Sequence, residues 1–144
     1  MKAGNQALDR SLRLALGTIL AVGISGAAWG QEIKVALSGG QEIPPVTTSA
    51  SGAGVITVGP DKSVSGRVAV SGMVVSVAHI HEAPAGGNGP IIIPLVMAPD
   101  NVWRVPEGAK LTDAQYDSYK AGNLYFNIHS DTYKKGEIRG QIKP

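Results

Sequence analysis

The sequence contains no cysteine. That excludes disulfides, thiolate nucleophiles, iron–sulfur clusters and cysteine zinc sites together. Aromatic residues are scarce, with one Phe, two Trp and four Tyr in 144 residues, and Trp103, Tyr116, Tyr119 and Tyr125 read as core or rim packing. A lasting excess of one charge is also missing. The formal +2 arises in the first thirty residues, where Lys2, Arg10 and Arg13 outweigh Asp9, and the remainder carries ten basic and ten acidic residues. Nothing basic is left to argue for nucleic acid, and no charge run points to a membrane surface. Only one long apolar run exists, Leu14 to Ala28. It is broken by Gly17, Gly23 and Ser25, and it falls short of the roughly 20 residues a membrane span needs.

A basic start, a short apolar run and small residues at Ala28 and Gly30 form the layout of a secretory signal peptide cut before Gln31. Residues 1–30 are therefore expected to be removed. Residues 31–144 are expected to form one exported domain, periplasmic or secreted, with no membrane attachment after cleavage. No twin-arginine pair and no cysteine follow, which favours the general export route and excludes lipid attachment at a cysteine. An exported domain without disulfides must be held by its core, by a metal or by partners.

What is present is short, alternating and β-branched. Segments 33–38, 52–58, 63–71, 75–81, 90–96, 101–105, 124–130 and 136–142 read as strands, separated by Gly-Gly, Pro-Pro, Gly-Pro-Asp-Lys and Asn-Gly turns. Pro44-Pro45 predicts an irregular crossing over residues 41–48. One helix is expected over 111–119, with Thr112 and Gln115 spaced as a capping box and Gly122 closing it. The fold class predicted is all-β: an antiparallel, Greek-key-like β-sandwich of about seven to eight short strands with one short helix.

The stretch VAHIHEAPAGGNGP holds two of the chain's three histidines; the third lies in LYFNIHS. Alternate residues of a strand share a face. Ala78 and Ile80 thus share one face, and His79 and His81 the other. Leu124, Phe126 and Ile128 are apolar partners, while Tyr125, Asn127 and His129 oppose them. If the two strands are neighbours, three imidazoles meet outside the core. Three neutral imidazoles suit Cu(II) or Zn(II), and Met73 or Met97 could add a soft ligand for Cu(I). The alternative is structural: the histidines hydrogen-bond to loop carbonyls, or to Glu82, Asn88 or Asn127, and so pin the glycine-rich loop 83–89 to the sheet.

Four stretches carry a resemblance: LSGGQEIPPVTTSASGAGVITV, VAHIHEAPAGGNGPIIIPL, AGNLYFNIHS and KKGEIRGQI. In this order they resemble the CHRD domain, a module named for chordin and also found singly in exported bacterial proteins. The resemblance spans residues 33–142. It places the family's His-Ile-His at His79, Ile80 and His81, its Asn-x-His at Asn127 and His129, and its Gly-Glu-Ile-Arg-Gly at 136–140. The chain departs from the family at Glu82, where glycine is usual, and at Tyr133-Lys134, where proline is common. A looser similarity links the histidine arrangement to copper–zinc superoxide dismutase. The bridging histidine, the zinc ligands and the disulfide of that enzyme are missing.

Metal ligation by His79, His81 and His129 is the leading expectation, with copper favoured over zinc. Asn127, Glu82 and Tyr125 are the expected supporting or axial residues. A non-catalytic module binding another exported protein or a surface polymer is the alternative, and copper-dependent redox activity a third. Glu137 and Arg139 share a strand face and read as a local ion pair or as backbone-bonding groups at a sheet edge. Glu42 reads as bonding backbone donors, and Gly86-Gly87-Asn88-Gly89 as a turn.

Overall fold

The computed structural model describes residues 30–100 and 102–144; apart from Gly30, the expected leader lies outside them. Among the described residues nine strands form: β1 Glu32–Ser38, β2 Ser51–Val58, β3 Val64–Ser71, β4 Val77–Glu82, β5 Ile91–Pro94, β6 Val96–Met97, β7 Trp103–Arg104, β8 Leu124–His129 and β9 Ile138–Ile142. A 3-10 turn covers Gly39–Gln41 and one helix, α1, covers Asp113–Lys120. No helix among the described residues is long and apolar enough to cross a membrane.

All strand pairs are antiparallel. They form one sheet in the order β5-β4-β8-β9-β1-β2-β3-β7-β6. Its two edge strands, β5 and β6, are separated in the chain only by Leu95. The edges must therefore lie side by side, and the sheet curls over into a nearly closed, sandwich-like barrel. The segment expected as one strand over 90–96 becomes two for this reason. Its first half pairs with β4 and its second with β7, while the Leu95 amide bonds the Ala78 carbonyl.

Local chemistry follows the sequence closely elsewhere. The β2–β3 hairpin turns through Lys62, whose φ is +67°. Asp61 steadies this turn by accepting from the amide and hydroxyl of Ser63. The helix begins with a complete capping box, Thr112 with Gln115. It ends as Gly122 takes φ +75° and its amide bonds the Tyr119 carbonyl. Gly39–Gln41 and the Ile43–Pro44 cis bond form the irregular crossing between β1 and β2.

The core forms where the alternation predicts. Ala78, Ile80, Leu124, Phe126, Ile128, Ile138 and Ile142 bury one face of β4, β8 and β9, an apolar area whose removal from water drives the folding. The opposite face of β8 is covered too. Tyr125, Asn127 and His129 are buried although they alternate with the core residues. Three irregular segments lie over this face, at 42–46, 83–89 and 131–136, and polar side chains hold them there.

Candidate metal centre

Strand pairing decides which side chains meet. β4 and β8 are neighbours in a register that sets Val77 opposite His129, His79 opposite Asn127 and His81 opposite Tyr125. Paired residues on neighbouring strands point to the same face, so His79, His81 and His129 share one small area. Their ligand atoms lie within 4.8 Å of one another, an arrangement that could hold a metal ion.

Each ring has its orientation set. The Nδ1–H of His81 donates to the Gly89 carbonyl at 2.9 Å. The Nδ1–H of His129 donates to the Lys134 carbonyl at 3.0 Å. Carbonyl oxygens only accept, so in both neutral rings the proton sits on Nδ1 and Nε2 carries the lone pair. His79 Nδ1 lies 3.2 Å from His129 Nε2. His81 Nε2 is buried and has no partner. The three inward nitrogens are thus Nδ1 of His79 and Nε2 of His81 and His129.

These distances fit an ion. Two nitrogens about 2.0–2.1 Å from one metal, at an angle of roughly 100–105°, stand about 3.2 Å apart. A tetrahedral ion sets its donors about 3.3–3.4 Å apart, so nitrogens up to 4.8 Å apart close by at most about 1.5 Å on binding. His79 must shift its proton to Nε2 on binding.

Electrostatics keep the donors neutral. Burial, then the neighbouring His129 and His81, lower the pKa of His79 to about 4. Burial lowers His81, with the Gly89 bond opposing and His129 and Arg139 adding to the effect. Burial also lowers His129, against the Lys134 bond. At neutral pH the rings carry no charge, so once the His79 proton moves to Nε2 each inward nitrogen presents a lone pair, as a metal requires.

Of the expected supporting residues, Tyr125 and Asn127 adjoin the histidines. The Tyr125 ring stacks on His81 at 5.0 Å with planes 16° apart, and its hydroxyl accepts from the Gly89 amide at 3.2 Å. Gly89 is therefore held at both ends, by His81 and by Tyr125. A side chain there has no room, since a Cβ would stand 1.8 Å from the Glu82 carbonyl oxygen. Asn127 adjoins His79 and donates through Nδ2 to both oxygens of Glu42, at 2.9 and 3.1 Å. Glu82 is elsewhere. It falls on the core-side parity of β4, and its carboxylate accepts from Ser118 of α1 at 2.5 Å. The two methionines are also elsewhere: Met73 and Met97 line a cavity with Val70, Val74, Val75 and Trp103.

Glu42 and Arg139 bond backbone groups, as expected, but Arg139 does so from inside the sheet and Glu42 also takes a side-chain partner. Glu42 is buried and receives the Asn127 amide in addition to a backbone donor. Burial raises its pKa, against the Asn127 bond and the Arg139 charge. Arg139 forms no ion pair with Glu137 among the described residues. It lies on β9, inside the sheet between β8 and β1. Its guanidinium sits 3.6 Å from the Tyr125 ring centroid and donates to the carbonyls of Gly87 and Pro84. The glycine-rich loop is thereby clamped over the site. Glu137 instead accepts from the hydroxyls of Thr48 and Ser130. The carbonyls of Gly89 and Lys134 carry no sequence signal, because every residue has one.

No curated protein and no solved structure matches the chain, so the looser similarity to superoxide dismutase finds no support there. The CHRD domain family matches residues 33–142. This span contains all nine strands except the first residue of β1, and it contains every residue of the histidine cluster. The chain belongs to the CHRD domain family.

Proposed function

We propose that this chain is an exported CHRD-domain protein that binds one copper ion through His79, His81 and His129, for carriage or protection of the metal. The observation that carries the reading is the pair of Nδ1–carbonyl bonds. They aim two Nε2 lone pairs at a third imidazole and leave one of them buried without a partner. An all-imidazole set suits copper or zinc. Copper is preferred over zinc because a given nitrogen-donor site generally binds Cu(II) more tightly than Zn(II). Export follows from the leader pattern of residues 1–30, with cleavage before Gln31.

The test is calorimetric titration of the purified, metal-stripped protein with Cu(II), Cu(I) and Zn(II), alongside His79→Ala and His129→Ala. Tight one-to-one binding lost in both variants supports the reading, and the preferred ion identifies the metal. Binding that ignores both substitutions sinks it.

A second reading has its own observation. Val74, Val96 and Met97 are exposed at 87%, 51% and 61%, around the seam where the sheet closes. An apolar group of this kind suits contact with another exported protein, with the histidines serving to pin the loop. Absence of metal binding together with self-association or partner capture lost in Val74→Ser and Met97→Ser would favour it.

A further inference from the structure

Two buried side-chain polar atoms among the described residues have no hydrogen-bond partner, His81 Nε2 and Asn127 Oδ1. They belong to one face of adjacent strands, and His79 lies directly opposite Asn127. A metal on the three histidines satisfies the first. The second is an acceptor and calls for a donor.

The amide's orientation is fixed by chemistry. A carboxylate accepts, so the group facing Glu42 must be the Asn127 NH₂. Glu42 follows the 3-10 turn, which packs on β9. Asn127 sits between Arg139 of β9 and His79 of β4. With Nδ2 held by Glu42, Oδ1 is the free end of an amide whose cross-strand neighbour is His79. Gly136 seals the amide's exposed side: a Cβ there would lie 2.4 Å from Oδ1 and 2.6 Å from a Glu42 oxygen.

We propose that the metal carries a water molecule as its fourth ligand, and that this water donates a hydrogen bond to Asn127 Oδ1, with Glu42 holding the amide in that orientation. The inference rests on the metal-binding reading above. One metal–water unit satisfies both orphaned atoms. It also sets a ligand preference. The exchangeable position favours small Lewis bases that carry an O–H or N–H on the bound atom, such as water or ammonia. It disfavours acceptor-only anions such as azide, whose lone pairs would face Oδ1. Asn127 is then a positioning residue that selects what the metal binds.

The experiment uses Cu(II)-loaded protein, pulsed EPR in ¹⁷O-enriched water, and titrations with azide and with ammonia. The wild type shows imidazole nitrogen couplings together with an ¹⁷O coupling from bound water. In Asn127→Ala the imidazole couplings persist, azide binds about three- to tenfold tighter and ammonia weaker by a similar factor, the size of one hydrogen bond. Opposite shifts separate a lost acceptor from a general change in charge or room. Imidazole couplings without ¹⁷O coupling in the wild type overturn this inference and leave the metal reading standing. So do azide and ammonia affinities that move together or not at all. No imidazole coupling overturns both. The wild-type measurement decides even if the variant fails to fold.

Discussion

His79 Nδ1 and His129 Nε2 stand 3.2 Å apart although fifty residues separate them in the chain. β4 and β8 bring them together, and two backbone carbonyls orient the rings of His81 and His129. The histidine cluster and the loops over it therefore form one unit. Metal affinity is expected to respond to residues that never touch the ion.

Gly89 is the sharpest case. In Gly89→Ala the new Cβ meets the Glu82 carbonyl oxygen, so the loop must move and the acceptor for His81 Nδ1–H moves with it. Loss of such an outer hydrogen bond lowers metal affinity by about 10–100-fold. Competition against a chelator of known affinity measures it. Wild-type affinity in a folded Gly89→Ala protein would contradict the role given to this carbonyl.

Glu82 supplies the matching control. Its carboxylate bonds Ser118 on the core side of β4, so Glu82→Gln is expected to leave metal affinity unchanged. The lost charge-assisted bond costs about 1–3 kcal/mol of stability, read from urea unfolding. A tenfold change in affinity would place Glu82 at the metal after all.

Arg139 ties the site to the sheet. Arg139→Met removes the contact with the Tyr125 ring and leaves the Gly87 and Pro84 carbonyls unpaired. The expected loss is about 3 kcal/mol. Hydrogen exchange should accelerate first in residues 84–89. A uniform loss of protection over the whole sheet would instead assign Arg139 to the core.

Acid should destabilise the metal-free protein through the histidines. The folded-state pKa of His79 is about 4, below its ordinary 6.5, and His81 and His129 are lowered too. As pH falls below 6.5 the unfolded chain takes up protons first. The stability from His79 is complete above pH 6.5 and disappears as pH approaches about 4, and His81 and His129 act in the same direction. Glu42, raised by burial, acts in the opposite sense near its own pKa, so the diagnostic comparison is with His79→Gln. That variant should show a flatter thermal midpoint between pH 7 and 4; an identical slope rules His79 out as a contributor.

Much of this protein was legible in the sequence because its causes are local. Strand alternation put His79 with His81, and Tyr125 with Asn127 and His129, on defined faces. Thr112 and Gln115 announced the helix start. The four family stretches named the domain. The site's environment was not legible, because it depends on contacts distant in the chain. Alternation marks the non-core face of β8 as polar, yet three irregular segments bury it, and Arg139 and Glu42 become interior residues there. The same alternation set Glu82 apart from the histidines, a placement the chain neighbourhood alone obscured. The split at Leu95 arises because one short segment must serve both edges of a curling sheet.

The sequence by itself determined the elements, the apolar face of each strand and the three imidazoles, since side-chain direction along a strand follows from backbone geometry. Only the tertiary structure decided that β4 lies beside β8, that the Gly89 and Lys134 carbonyls set two rings, and that Asn127 faces Glu42. Register and backbone acceptors belong to pairs of segments, and no single stretch of sequence encodes a pair.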